Sequence, residues 1–503
     1  MSSTNFLRAL LAMALCLPGI ASAFGFEDVV ARARKLSTQP YVAPQNNLPG
    51  PLREIDYDAY RDIRFKPEKA LWRGAKLPFE LQFFHPGRQY QQSVTVNVIS
   101  ADGVRRLSYN PDSFDFGKNK FDPGSFGDVG YSGFRVHYPI NRPDFKDEVM
   151  VFRGASYFRA LGKHQRYGLS GRGLAIDTGL ISGEEFPAFT EFWVVWPAPT
   201  SSSLEIYALL DSPRAAGAYR FVLQPGVNTK VDVEVTLFMR DQVGKLGLAP
   251  LTSMYYYGEN QTSPFEDFRP EVHDSDGLLV DDGTGEWVWR PLTNPKRLVS
   301  TSFGTETLRG FGLMQRDRDF TNYQDLETRY DLRPSAWITP KGDWGKGRVE
   351  LIMIPTKDET NDNVVAFWVP ATQPKPGEAF QYAYRMSFEH DELSGPELAR
   401  VVQTRRGHGF RREPDDSLRM VVDFVGGPLA NLAQAAKIDA PVWINDNGEL
   451  MEKQLQPNPA TGGWRLNLRY RVKDSGKPVE MRAALRDGDK PLSETWSYLL
   501  PAQ

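Results

Sequence analysis

Residues 330–368, YDLRPSAWITPKGDWGKGRVELIMIPTKDETNDNVVAFW, hold two apolar runs on either side of a polar turn. Arg348–Ile354 and Val364–Val369 are short, rich in Val, Ile and Phe, and bounded by Gly, Pro, Asp and Asn. That composition predicts two strands of a hairpin, because branched and aromatic side chains suit a pleated, buried surface. Neither run has the length or the 3.6-residue spacing of a helix.

The same punctuation recurs outward along the chain, in Phe79–Phe84, Ser93–Ile99, Phe134–Tyr138, Phe192–Trp196, Leu204–Leu210 and Lys230–Phe238. Short alternating runs separated by turn residues predict an all-β fold, a large antiparallel sandwich. Phe26–Leu36 is the exception. Its apolar spacing predicts an amphipathic helix, with Glu27 and Asp28 in the first turn and Arg34 and Lys35 in the last, as the helix dipole favours.

A chain of 503 residues is long enough for more than one domain. The polar, charged stretch Glu389–Pro414 reads as a linker after the strand Phe380–Phe388. Beyond it, Leu418–Phe424, Trp464–Val472 and Val479–Arg486 read as strands of a small immunoglobulin-like sandwich. The expected division is a leader at 1–23, a large β-sandwich at 24–388, a linker at 389–414 and an immunoglobulin-like domain at 415–503.

The leader reading rests on Arg8, the short apolar run Ala9–Ile20 and the small residues Ala21-Ser22-Ala23, the three parts of a secretory signal. No twin-arginine pair precedes the apolar run, so the general export route is expected. The single cysteine, Cys16, lies inside this leader, and Leu15 is too bulky for the position before a lipidated cysteine. The exported chain then has no cysteine, which rules out disulfides and thiol catalysis and suits a bacterial periplasm. No later run is long enough to span a bilayer, so the protein is not expected to be an integral membrane protein. A net charge of -3 gives no basic face for nucleic acid.

Histidines 85, 137, 164, 273, 390 and 408 are scattered without metal-ligand spacing, so no metal is expected. There is no GxGxxG, no Walker loop and no GxSxG elbow, so no nucleotide cofactor or serine nucleophile is indicated. Carboxylates and aromatics remain. The turn KDETNDN sets Asp358, Glu359 and Asp362 close together, and mutual repulsion with some desolvation would let one carboxyl keep its proton. A neutral carboxylic acid beside rings is what acid-catalysed cleavage of a sugar bond needs. The same residues also suit a solvated hairpin turn.

A second acidic stretch, RPEVHDSDG (269–277), carries Glu271, Asp274 and Asp276 around His273. It lies between Tyr255-Tyr256-Tyr257 and GEWVWRPL (285–292). Tyr256, Trp287 and Trp289 are candidate sugar platforms, since apolar sugar faces stack on rings. Equally, Trp287 and Trp289 stand at alternate positions and would form one buried face of a strand.

Beyond these two stretches, SYFRALG (156–162), YGLSGRGLAIDTG (167–179), SGEEFPAFTEFW (182–193), YALLDSPRAAGAYRF (207–221), LAPLTSM (248–254), YDLRPSAW (330–337) and ETWSYLLPA (494–502) run in order along the chain. With them the sequence, from about Phe24 to its C-terminus, resembles the periplasmic glucan biosynthesis G and D family, the G branch rather than the D branch.

The resemblance implies a large β-sandwich followed by a small immunoglobulin-like domain, and a part in making osmoregulated periplasmic glucans. It also implies an inverting hydrolase of β-1,2-glucan, of the type in glycoside hydrolase family 186. On this chain the implied general acid is Asp362 and the general base Asp274, with Glu359, Tyr330 and Arg333 as binding or orienting groups. If the two carboxyls stand farther apart than the ~6.5–9.5 Å usual for inversion, a relay through water or a sugar hydroxyl is implied. The rival expectation is a non-catalytic scaffold that takes nascent β-glucan from an inner-membrane glucosyltransferase for branching, release or cyclisation. For Asp274 the bland alternative is an Asx-turn residue before Gly277.

Overall fold

The acidic hairpin forms as its composition dictates. Gly347–Met353 and Val364–Pro370 pair antiparallel, with Met353 opposite Val364. Every residue of Val364–Pro370, which also pairs with Leu246–Ser253 in a ten-stranded sheet, is buried. Val364, Ala366 and Trp368 enter the sandwich core, and Val365, Phe367 and Val369 pack on the other face with Ala175 and Ile352. Each fully buried Val or Phe there contributes ~1.5–3 kcal/mol of hydrophobic stabilisation. The computed structural model describes residues 24–390, 393–410, 412–413, 415–432 and 437–502. The expected leader at 1–23, with Cys16, lies outside them.

The second sheet has fourteen strands and runs from Val442–Ile444 at one edge to Gly103–Arg106 at the other. The two sheets bury one core between them, to which Phe134, Phe152 and Phe158 come from the first and Phe192, Phe221 and Val233 from the second. The rings of Phe152 and Phe221 meet across it at 5.1 Å, edge to face. The fold is therefore an all-β sandwich, as the sequence predicts. The predicted helix forms over Phe26–Ser37 and lays Val29, Val30 and Ala33 on Trp193, Tyr207 and Phe238, covering part of the outer face of the large sheet.

The C-terminal unit is a second, smaller sandwich. Arg400–Gly407, Leu418–Val425, Gly463–Val472 and Gly448–Asn458 make its four-stranded sheet. Their apolar side chains share a core with Val442–Ile444, Val479–Ala483 and Thr495–Leu500. The latter three continue the fourteen-stranded sheet, because Thr495–Leu500 pairs in parallel with Trp287–Pro291, Trp496 opposite Trp289. The expected linker at 389–414 is shorter than its polarity suggested, since it contains the strand Arg400–Gly407. A bulge between Val401 and Gln403 leaves the buried Val401 and Thr404 three positions apart, which hides the two-residue period of a strand.

Candidate active site

Asp274 stands on a rigid floor. Val272–His273 pairs with Tyr255–Tyr257, His273 opposite Tyr255. The Asp274 amide donates to the Met254 carbonyl at 2.8 Å, and the Ser275 and Ser253 hydroxyls meet at 2.8 Å. Asp276 faces the other way, its Oδ2 accepting from the amides of Arg316 and Asp317 at 2.9 and 3.0 Å. The buried Asp274 carboxylate is ion-paired with Nη1 of Arg333, whose guanidinium carbon lies 4.2 Å from the centroid of the Tyr330 ring. Arg333 passes close over Gly168, where a Cβ would come within 2.9 Å of the Arg333 Cβ. Only glycine leaves that path open.

Asp362 closes the acidic turn, and its neighbour Asn363 ties it to the same floor. The buried Asn363 side chain accepts from the Tyr255 amide at 2.8 Å and donates to the carbonyls of Tyr255 and Ile354 at 3.0 Å each. Tyr255 in turn pairs with His273, the residue before Asp274. A short chain of contacts through Asn363, Tyr255 and His273 therefore connects the two aspartates, although they are far apart in sequence.

The Asp362 side chain keeps 29% of its surface exposed and lies 3.5 Å from Nη2 of Arg159. Its pKa is nonetheless raised above the usual carboxylate value. Partial burial in a recess is the largest cause, Arg159 and Arg333 oppose it, and the charge of Asp274 adds to it. The influence of Asp274 and Arg333 on this proton puts all three groups in one electrostatic neighbourhood.

Asp362 opens onto a groove of about 520 Å3 with Tyr157, Phe158, Arg159 and Ser170 in its wall. The groove shares Phe84, Gln89, Tyr90 and Arg153 with a recess of about 830 Å3 reaching Tyr57 and Tyr60, so the two run together as one trough. The Arg153 guanidinium is held over the rings of Tyr90 and Phe84, 3.7 and 4.3 Å from their centroids. Rings and guanidinium groups along a trough suit the two faces of a sugar, one apolar and one rich in hydroxyls.

The other expected residues divide. Glu359 pairs with Arg269 at 2.8 Å, and Tyr330 is buried against Arg333, so both lie beside the carboxylate pair. Tyr256 is buried too, and its hydroxyl donates to the Lys357 carbonyl at 2.6 Å, anchoring the start of the acidic turn. Trp287 and Trp289 are not brought to the groove. Trp289 is buried in the core of the C-terminal unit, with the Arg316 guanidinium 3.7 Å above its ring, and Trp287 stacks on Trp337 at 5.6 Å. Alternate positions of one strand share a face, and here the C-terminal sandwich covers that face. Sequence reading did not single out Asn363, Arg159 or Arg269. Only the polar position directly before an apolar run marks Asn363 as a residue with a local structural task.

Behind Asp274, the junction between the two units buries several ionisable groups. Burial, with Glu271 and Asp276 nearby, raises the Glu259 carboxyl to about 8 despite a hydrogen bond from the Thr404 amide. Burial opposes charge on His273, but its contact with Glu271 (2.8 Å) prevails and raises the imidazole to about 9. Both folded values lie above the unfolded ones. The stability each contributes is therefore full below the unfolded pKa and is lost as pH rises through the folded one, for Glu259 between about 4.5 and 8 and for His273 between about 6.5 and 9. The melting temperature is expected to fall between pH 6.5 and 9. Glu259→Gln, which cannot ionise, is expected to melt above wild type at pH 9, with the remaining slope due to His273. Thermal denaturation of both proteins across that range checks it, and superimposable curves would contradict the assignment.

Among the described residues no cluster of His, Cys, Asp and Glu is arranged to hold a metal ion, and no helix is long and apolar enough to cross a membrane. The sequence model of the family described as periplasmic glucan biosynthesis protein, MdoG, matches residues 24–500. The chain is 56% identical over 495 residues to the glucans biosynthesis protein G of Ralstonia nicotianae, an alignment covering 97% of this chain and 98% of that protein. A match of this extent, over both sandwiches and every residue of the candidate site, means that the chain belongs to the periplasmic glucan biosynthesis protein family.

Proposed function

We propose that this protein acts in the periplasm in the making of osmoregulated glucans, and that it hydrolyses their β-1,2-linked backbone with inversion. Asp362 would protonate the glycosidic oxygen while Asp274 takes a proton from the attacking water. The C1–oxygen bond then breaks, hydroxide is delivered to the opposite face of C1, and one water is consumed per bond. The observation that carries this reading is a groove-lining Asp362 carboxyl that feels the charge of the guanidinium-bound Asp274. Burial and a carboxylate neighbour favour the proton on Asp362, while Asp274 accepts from a guanidinium. A carboxyl whose surroundings favour its protonated form can supply the acid of such a reaction, with a second carboxylate as its base. The trough beside Asp362 supports an extended glycan as the ligand.

The test is incubation with linear β-1,2-glucooligosaccharides, following new reducing ends by chromatography and their anomeric form by NMR. Shorter products that appear first as the α-anomer are expected. Retention of the sugar with no cleavage over long incubation would favour the scaffold role in glucan assembly.

A further inference from the structure

The acidic turn is well held at its ends and weakly held in the middle. At its start, Thr356 and Asn294 exchange two hydrogen bonds of 3.0 Å, and Tyr256 holds Lys357. At its end stands Asn363. Among the described residues, the side-chain ties of 358–362 to the rest of the protein are Glu359 to Arg269 and Asp362 to Arg159.

Arg269 does more than hold Glu359. Its Nη2 lies 2.8 Å from Glu359 Oε2 and 2.9 Å from Asp267 Oδ2, and its Nη1 lies 3.1 Å from Glu359 Oε1 and 3.2 Å from Asp325 Oδ2. The guanidinium is largely buried, as are the carboxylates of Asp267 and Asp325. Each carboxylate belongs to a different approach to the site. Asp267 precedes the floor strand Val272–His273 that leads into Asp274, Asp325 precedes Tyr330 and Arg333, and Glu359 shares the turn with Asp362. Planar, forked recognition of two carboxylates at once is within reach of arginine and not of lysine.

We propose that Arg269 is a positioning residue that fixes where Asp362 stands relative to Asp274 and Arg333, by clamping the three loops that carry them. The inference rests on the hydrolase reading above. Without the guanidinium, three carboxylates would face one another across a small space, and repulsion would move the turn outward. Asp362 would then lose both its recess and the influence of Asp274, the two causes that raise its pKa.

Wild type, Arg269→Met and Arg269→Lys are compared in kcat and KM on linear β-1,2-glucooligosaccharides across pH. The titration of Asp362 is followed in the same proteins by carbon-13 carboxyl NMR, assigned with Asp362→Asn. Arg269→Met is expected to lose ~10²-fold in kcat, the effect of moving a catalytic group by about 1 Å, with KM changed far less. The alkaline limb of its pH profile and the Asp362 titration are both expected to move to lower pH. Arg269→Lys keeps the charge without the fork and is expected to recover only part of kcat.

An unchanged Asp362 titration in a folded Arg269→Met protein would overturn the proposal. So would a fall in kcat with both pH markers unmoved, the mark of general loosening. If wild type cleaves nothing, the hydrolase reading fails on that arm alone, and the NMR titration still decides whether Arg269 places Asp362.

Discussion

Asp362→Asn is expected to lower the turnover of linear β-1,2-glucooligosaccharides by ~10²–10⁴-fold, the range for loss of a positioned general acid. The fold should not suffer, and here the sign matters. The folded pKa of Asp362 lies above its unfolded value of 3.8, so its favourable contribution is complete below 3.8 and is lost as pH rises through the folded value. Once it ionises, the folded carboxyl carries a cost that a neutral amide does not, so above that point the variant should melt at or slightly above wild type. A second readout separates protonation from binding. An aryl glycoside of a β-1,2-glucooligosaccharide, whose leaving group needs no proton, should still be cleaved by Asp362→Asn. Near-normal turnover of the natural linkage by this variant would remove Asp362 from the acid role. Equal loss on both substrates would make it a binding group.

The sandwich was legible in the sequence because its main signal is local. Alternation and turn residues mark Leu204–Asp211 and Thr229–Met239 directly, and a continuous apolar run marks the doubly covered Val364–Pro370. The acidic turn was visible for the same reason, as a cluster of like charges between two strands. What the sequence hid depends on distant partners. Trp287 and Trp289 carry the pattern of a sugar platform and of a buried face alike, and the choice is made by Thr495–Leu500, which pairs beside them from the far end of the chain. The strand Arg400–Gly407 is disguised by its bulge and its four charged or polar surface positions. Arg269 looks in sequence like any arginine before a proline. Its importance lies in three carboxylates brought to it by three separate loops.

Asp274→Asn is expected to fail differently from Asp362→Asn, and the contrast tests the two roles against each other. Turnover should again fall by ~10²–10⁴-fold, because an amide cannot take a proton from water. Stability should fall too. The Arg333 guanidinium, packed on Tyr330 and only 17% exposed, would lose the carboxylate it is ion-paired with. Removing one member of a buried ion pair typically costs about 3–5 kcal/mol, since the remaining charge stays out of water uncompensated. The double variant Asp274→Asn/Arg333→Gln removes that orphaned charge and should regain much of the lost stability in urea denaturation while remaining inactive. Recovery of the fold without recovery of turnover would locate the chemistry in the carboxylate itself. If turnover returned with stability, Asp274 would serve only to neutralise Arg333, and the base would have to be sought among the other acids of the site.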